Sequence, residues 1–185
     1  MKKKAYILLA SGFEETEAMG TWDALIRGGV EASFVSIYND YEVEGAHGHR
    51  LNACLNIIDI KDSGADAIVL PGGMPGAKNL YESDKVKEII QAHYDDDKVI
   101  AAICAAPLVL GRMGLLEKKK ATCYPGFEEE LKGATIFNAP VCVDDNIITG
   151  RGPAYALDFG VAILGTLIDK EAAEEVADGL LLNEQ

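Results

Sequence analysis

The strongest constraint on the fold is the alternation of short β-rich runs with amphipathic segments of helical length. Strands are predicted at residues 5–10, 32–37, 67–70 and 99–103. The last three are nearly continuous apolar runs, which is typical of parallel strands buried on both faces. Such strands need helices on each side, so the chain is predicted to form a mainly parallel, doubly wound α/β sheet with right-handed connections.

Helical periodicity indicates the segments that cover this sheet. Helices are predicted over residues 15–28, 84–94 and 153–167, the first ending at Gly28 and Gly29. Three positions of the first helix are predicted to face inward: Ala18, Leu25 and Ile26. Residues 133–149 are instead predicted to form short strands joined by a tight Asp-Asp-Asn turn.

Composition limits the chain to certain classes of protein. The 185 residues are 49% hydrophobic and 25% charged, without repeats or linkers, which favours one globular domain over residues 1–185. The net charge of −13 disfavours nucleic acid and anionic membranes as partners. The apolar runs are too short to span a bilayer. Four single cysteines and the lack of a secretory signal favour a cytoplasmic protein with reduced thiols.

Three strand-to-helix junctions are the predicted places for chemistry. They are residues 12–17, 71–76 and 104–107, each following a predicted strand. In open parallel sheets the carboxyl ends of the strands meet at one edge, where ligands bind. The residues of these junctions are therefore expected to lie near one another.

Cys104 is the candidate nucleophile. It follows an apolar strand and precedes two alanines and Pro107, a residue suited to the first turn of a helix. The N–H groups and positive dipole end of that helix favour a thiolate, so a lowered thiol pKa is expected. The small neighbours leave the backbone accessible, as a nucleophile elbow requires. The alternative is that Cys104 is a buried small hydrophobic residue.

The other cysteines and the histidines give weaker signals. Three cysteines lack such a junction and are interpreted as packing or surface thiols: Cys54, Cys123 and Cys142. All three histidines precede Cys104, so a Cys–His dyad is weakly supported. His93 is predicted to lie at the surface beside an acidic run, and a metal site at His47 and His49 is disfavoured because no third ligand presents itself.

A glutamate is the alternative partner for the sulfur. Glu14, Glu15 and Glu17 open the first helix at the sheet edge where Cys104 is expected. An ionised carboxylate would raise the thiol pKa by repulsion, so a helpful glutamate must be protonated. It would then donate a hydrogen bond to sulfur and share its proton with the thiol. The alternative is that an acid in the first turn only complements the helix dipole. We assign that role to Glu14 and Glu15.

The glycine-rich turn at residues 71–76 supplies candidate oxyanion donors. Its backbone N–H groups would face an oxyanion near Cys104. The turn lacks both the P-loop ending and the dinucleotide-binding spacing, so it is a weak candidate for a phosphate loop. Glycines that only form a tight turn are the alternative.

The sequence resembles the ThiJ/PfpI superfamily, and within it the DJ-one branch. Four segments carry the resemblance: residues 7–18 (ILLASGFEETEA), 68–80 (IVLPGGMPGAKNL), 100–110 (IAAICAAPLVL) and 148–164 (ITGRGPAYALDFGVAIL). It implies a flavodoxin-like three-layer sandwich with a nucleophile elbow, similar to class I glutamine amidotransferases, and usually a homodimer. It also implies a reactive cysteine at Cys104, a protonated Glu17, and oxyanion donors at the N–H groups of Gly73 and Ala105.

The chain departs from the family pattern near the elbow. Many relatives carry a histidine beside a proline after the next strand, whereas this chain has Tyr124 before Pro125. A tyrosine donates hydrogen bonds but is a poor base at neutral pH. Protease-like relatives have a histidine directly after the cysteine, whereas this chain has Ala105. Proteolysis is therefore disfavoured.

The resemblance also implies residues around the pocket. Arg27 and His47 match positions near the dimer interface and pocket mouth, where a small anion or a substrate carboxylate would bind. Gly72 is placed in the pocket with Tyr124, and Arg151 at its rim.

Together these features predict a cofactor-free glyoxalase or deglycase, without a metal, that acts on small α-oxoaldehydes or their protein adducts. Two alternatives stay open. One is a non-enzymatic oxidative-stress sensor or chaperone whose Cys104 is oxidised to the sulfinate. The other is a flavin or nucleotide carrier, which rests on fold analogy alone.

Overall fold

A mainly parallel sheet organises the chain, as the computed structural model shows for residues 2–61 and 64–184. The strands of the described residues are β1 (Lys4–Leu9), β2 (Glu31–Ser36), β3 (Glu42–Glu44), β4 (Arg50–Asn52), β5 (Leu55–Asn56), β6 (Ala67–Leu70), β7 (Val99–Ile103), β8 (Lys120–Ala121), β9 (Thr135–Ile136), β10 (Val141–Asp144) and β11 (Ile147–Gly150). Two small sheets of these strands, β3 with β4 and β8 with β9, lie outside the main sheet. Within the described residues, seven strands form one sheet in the order β10-β11-β7-β6-β1-β2-β5. Every neighbouring pair is parallel except β10 with β11.

Helices cover the sheet. They are α1 (Glu15–Arg27), α2 (Gly76–Glu82), α3 (Asp84–Asp95), α4 (Pro107–Arg112), α5 (Ala156–Leu167) and α6 (Lys170–Gly179). Helix α5 packs against α1 and α6, whereas α2 packs against α3 and α4. Short 3₁₀ segments lie at Glu128–Glu130, Pro153–Tyr155 and Leu182–Glu184. The predicted three-layer α/β sandwich is confirmed. Among the described residues, no helix has the length and apolar character needed to cross a membrane.

The central strands β6 and β7 were predicted correctly because they are buried on both faces of the sheet. Every residue of β6 and β7 is buried, which agrees with their unbroken apolar sequences. The predicted hairpin is also present: β10 and β11 pair antiparallel, with Asp144 opposite Ile147. Asp145 has a φ of 54°, a left-handed conformation that aspartate tolerates in such tight turns.

Two predictions about burial were wrong. Ile26 is exposed, because it follows Leu25 by one position and so points about 100° away from the buried stripe of α1. His93 is fully buried on α3. Its Nδ1 lies 2.9 Å from the Ile89 carbonyl oxygen, one helical turn earlier. The acidic residues that follow His93 therefore do not indicate an exposed side chain at position 93.

Candidate active site

Cys104 occupies a strained turn between β7 and α4. Its φ of 65° lies in the left-handed region that non-glycine residues rarely adopt, at a typical free-energy cost of about 1–3 kcal/mol. The surrounding backbone holds it there. The Cys104 N–H donates to the Gly150 carbonyl oxygen at 2.9 Å, and the Cys104 carbonyl accepts from the Tyr124 N–H at 2.8 Å. This geometry is the expected nucleophile elbow, with Pro107 in the first turn of α4.

The side chain of Glu17 lies beside this elbow. Glu17 is in the first turn of α1 and is fully buried. Its Oε2 accepts a hydrogen bond of 2.7 Å from the Gly72 N–H, and its carboxyl interacts with the Cys104 thiol. Among the described residues, Oε1 has no partner with full hydrogen-bond geometry. Burial raises the pKa of Glu17 to about 7, so this carboxyl holds a proton up to neutrality.

The thiol pKa depends on the charge of Glu17. Burial, repulsion by an ionised Glu17 and the hydrogen bond to its carboxylate raise the pKa of Cys104 to about 12. The N–H groups of Gly73 and Ala105 act in the opposite direction. The expectation of a low thiol pKa from the helix terminus is therefore wrong beside an ionised Glu17, because burial and the carboxylate outweigh the backbone donors. A protonated Glu17 removes the repulsion and donates to the sulfur instead.

Two adjacent glycines allow this close packing. A Cβ at Gly72 would lie 2.6 Å from the Cys104 Cβ and 2.7 Å from the Glu17 Oε2. Gly73 has a φ of 85°, and its Cβ would lie 2.5 Å from the Gly12 carbonyl oxygen. The glycine-rich turn therefore brings backbone N–H groups to both Glu17 and Cys104, which side chains at these positions would prevent.

Glu14 positions Glu17, a role that the sequence interpretation missed. It is the N-cap of α1, and its Oε2 accepts a hydrogen bond of 2.6 Å from the Glu17 N–H. The Glu14 N–H in turn donates to the Gly72 carbonyl oxygen at 2.9 Å. The spacing of two glutamates three residues apart at a helix start resembles a capping box and is the signal that could have indicated this contact.

Tyr124 and Arg151 line one cleft next to the elbow. Its walls are Tyr124, Pro125 and the segment 151–155, and its volume is about 220 Å³. The Tyr124 ring packs on the backbone of Gly152, where a Cβ would lie 3.2 Å from the ring. The cleft adjoins the elbow through the Tyr124 backbone, and the placement of Tyr124 in the substrate pocket and of Arg151 at its rim stays a prediction.

The structure separates the two remaining pocket candidates. His47 lies beside the first turn of α1: its Nδ1 is 2.6 Å from Glu15 Oε2, and its N–H donates to Glu15 Oε1 at 2.8 Å. The hydrogen bond to Glu15 raises the pKa of His47. Arg27 is ion-paired with Asp23 at 2.8 Å in the last turn of α1. Arg27 lies ten helical positions after Glu17, about 15 Å along the axis. The expectation that Arg27 lies near a dimer interface and the pocket mouth stays a prediction.

One group of potential metal ligands lies near the first turn of α1 among the described residues. Glu14, Glu15 and His47 bring potential ligand atoms within 4.8 Å of one another. Both glutamates already accept backbone hydrogen bonds, Glu14 from the Glu17 N–H and Glu15 from the His47 N–H. Metal binding here would have to compete with these contacts. His49, the other histidine considered for a metal, is not part of this group.

The fold and the site define a class: three-layer α/β proteins with a cysteine at a strand-to-helix elbow and a buried glutamate beside it. The comparisons identify the family within this class. The model of the DJ-1/PfpI family matches residues 3–166. The chain belongs to this family.

Curated relatives and solved structures agree with this assignment. Protein DJ-1 homolog B of Arabidopsis thaliana is 40% identical over 97% of this chain, which spans 42% of that relative. The chain thus covers less than half of that relative. Glutathione-independent glyoxalase DJR-1.2 of Caenorhabditis elegans is 30% identical, over 98% of this chain and 97% of its own length. The structure of oxidised Toxoplasma gondii DJ-1 superposes with a TM-score of 0.92 at 34% identity, over 97% of this chain and 98% of that one.

Proposed function

We propose that the protein is a cofactor-free, cysteine-dependent glyoxalase or deglycase that acts in the cytoplasm on small α-oxoaldehydes or their early adducts on proteins. The observation that carries the proposal is the buried Glu17–Cys104 pair, with N–H groups from Gly72, Gly73 and Ala105 directed at it. The nematode relative named a glutathione-independent glyoxalase supports the same type of reaction.

The reactive form holds one proton on the pair. Loss of the first proton near neutrality gives a single negative charge, which lies either on Glu17 or on Cys104. The N–H groups of Gly73 and Ala105 stabilise the charge on sulfur. Glu17 then keeps its proton and donates it toward the thiolate. This form supplies both the nucleophile and the acid that the reaction needs.

The reaction is an intramolecular oxidation–reduction between two adjacent carbons of the substrate. The Cys104 sulfur adds to the aldehyde carbon, and Glu17 gives its proton to the new alkoxide, which forms a hemithioacetal. The Glu17 carboxylate then takes the hydrogen of that carbon as a proton and returns it to the neighbouring carbonyl carbon. The hydroxyl proton of the first carbon passes to the oxygen of the second, so the first carbon is oxidised to a thioester and the second is reduced to an alcohol. Water cleaves the thioester, which releases the hydroxy acid and the thiol.

Backbone donors stabilise the charge that develops in this sequence. An alkoxide forms next to sulfur, and an enediolate forms during the proton transfer. The N–H groups of Gly73 and Ala105 are held rigidly beside Cys104, one by the glycine-rich turn and the other by the start of α4. Removal of one such donor in other enzymes lowers kcat by roughly 10²–10³-fold.

Conversion of methylglyoxal to lactate by protein freed of metal with a chelator tests the proposal. We expect turnover by the wild type and none by Cys104→Ala. Cys123→Ala is the matched control, because Cys123 is also buried but has no contact with Glu17 among the interactions that set its pKa. Equal turnover by wild type and Cys104→Ala would refute the assignment.

A second candidate function is an oxidative-stress sensor or chaperone whose Cys104 is oxidised to the sulfinate. The donors that stabilise an oxyanion would also bind sulfinate oxygens, and one structural relative is named as oxidised. Intact-mass measurement under graded peroxide tests it. A gain of two oxygens confined to Cys104 supports the sensor, whereas oxidation of the exposed Cys54 before Cys104 counts against it.

We also propose that the protein is a homodimer, as the family resemblance implies. Light scattering during size-exclusion chromatography is expected to give twice the mass of 19.8 kDa. A monomer at micromolar concentration would contradict this.

A further inference from the structure

The cleft beside the elbow is aromatic and mainly apolar. The residues that line it include two tyrosines, two prolines and an arginine: Tyr124, Tyr155, Pro125, Pro153 and Arg151. Tyr124 is 47% exposed although its backbone is fixed to the Cys104 carbonyl. An exposed ring held this close to a reactive residue is available for contact with a ligand.

The position of the cleft relates it to the sulfur. The Tyr124 N–H donates to the Cys104 carbonyl, and the Cys104 N–H donates to Gly150, the residue before Arg151. Both walls of the cleft are thus joined directly to the backbone of the nucleophile. A substrate that reacts at Cys104 therefore has this cleft beside the elbow for a substituent.

The size and lining of the cleft define the group it accepts. The volume of about 220 Å³ is below the roughly 300–1,000 Å³ of pockets for drug-sized ligands, so it suits a single ring rather than a large ligand. Ring faces and a guanidinium favour an aromatic group through stacking and cation–π contact. A methyl group gains neither interaction.

We propose that this cleft binds an aromatic substituent of the substrate, so that the enzyme prefers α-oxoaldehydes that carry an aryl group over methylglyoxal. Tyr124 is the residue that determines this specificity. The proposal rests on the function proposed above and names its substrate class. It names the group that Tyr124 contacts, an aryl ring, where the family resemblance implied only that Tyr124 lies in the pocket.

Two pairs of probes test it in wild type, Tyr124→Ala and Tyr124→Phe. The first pair is phenylglyoxal and methylglyoxal, compared by kcat/KM. The second pair is N-benzyl iodoacetamide and iodoacetamide, compared by the rate at which the Cys104 sulfur displaces iodide. The two alkylating agents share one reacting carbon, so their rate ratio reports the ring alone and needs no catalytic turnover. Tyr41→Ala is the matched control, since Tyr41 is 48% exposed but is bonded to Asp59 away from the cleft.

We expect Tyr124→Ala to lower both ratios roughly five- to tenfold, the effect of losing one aromatic contact. Tyr124→Phe and Tyr41→Ala should keep the wild-type ratios. If neither glyoxal is turned over but the alkylation ratio still falls, the proposed function fails while the aryl subsite stands. If methylglyoxal is turned over and Tyr124→Ala leaves both ratios unchanged, the function stands and the aryl subsite is refuted. A fall in the alkylation ratio without a fall in the turnover ratio also contradicts the proposed substrate preference. Circular dichroism of each variant confirms that it is folded.

Discussion

The Glu17 carboxyl and the Cys104 thiol form a buried pair in which burial raises the pKa of both groups and the charge of Glu17 raises the thiol pKa further. They come from α1 and from the end of β7, and the Gly72 N–H anchors the carboxyl from a third segment. Because both groups are removed from water, loss of a proton from one group strongly shifts the pKa of the other. Their chemistry is therefore that of a pair that shares a proton.

The Glu17→Gln variant distinguishes the role of Cys104 as nucleophile from the role of Glu17 as acid. The amide still donates to a thiolate and cannot repel it, but it cannot transfer a proton. We expect alkylation of Cys104 to persist in Glu17→Gln while methylglyoxal turnover falls about 10²–10⁴-fold. The measurement is kcat beside the iodoacetamide rate on the same sample. A variant that loses both equally would show that Glu17 serves only to hold the site together.

Gly72→Ala is expected to damage the site through steric overlap. The added Cβ would lie 2.6 Å from the Cys104 Cβ, so the turn or the elbow must move. We expect unfolding free energy to fall by about 1–3 kcal/mol and Cys104 alkylation to change with it. Gly179→Ala is the control, because no atom lies within 4 Å of its added Cβ. Urea unfolding and alkylation of both variants give the comparison, and equal behaviour would count against the packing argument.

Glu14→Ala is expected to affect both stability and chemistry. It removes the acceptor of the Glu17 N–H, a helix cap that typically contributes about 1 kcal/mol. Asp169→Ala removes the equivalent cap of α6, whose side chain accepts from the Ala172 N–H at 2.8 Å. Both variants should lose similar stability in urea, but only Glu14→Ala should alter the Cys104 alkylation rate. A similar effect of both on alkylation would mean that Glu14 does not position Glu17.

His93 is expected to make the protein less stable in mild acid. Burial lowers the pKa of His93, with a smaller contribution from Lys98, whereas Asp96 acts in the opposite direction. The unfolded chain, with an ordinary histidine pKa of about 6.5, therefore binds this proton before the folded protein does. The stabilising contribution is complete above the unfolded pKa and is lost as the pH falls below it.

Denaturant unfolding of wild type and His93→Gln at about pH 7.5 and about pH 5.5 measures this contribution. The slope for one proton is at most about 1.4 kcal/mol per pH unit. Wild type should lose more stability between the two pH values than His93→Gln. An equal loss in both proteins would assign the acid sensitivity to other groups.

The sequence was sufficient for the features that depend on local patterns. Unbroken apolar runs predicted β6 and β7, and their common carboxyl edge brought Cys104, Glu17 and Gly73 together as expected. The elbow was recognisable because Pro107 can only begin a helix there. Because the strands are parallel, the strand-to-helix junctions that follow them lie at one edge of the sheet.

The features that were missed depend on tertiary packing. The thiol pKa follows from how completely Glu17 and Cys104 are buried, and a helix terminus in the sequence does not give that quantity. His93 is polar in an acidic segment, yet its ring is buried on the inner face of α3, where periodicity rather than neighbouring charge decides burial.

The central claim is that near neutrality the charge of the pair lies on the Cys104 sulfur while Glu17 keeps its proton. The thiolate has its own ultraviolet absorbance, which can be measured in wild type minus Cys104→Ala as the pH is raised. The account predicts a difference equal to about one thiolate per chain at a pH well below 12. No thiolate signal until the pH approaches 12, the value set by an ionised Glu17, would contradict it.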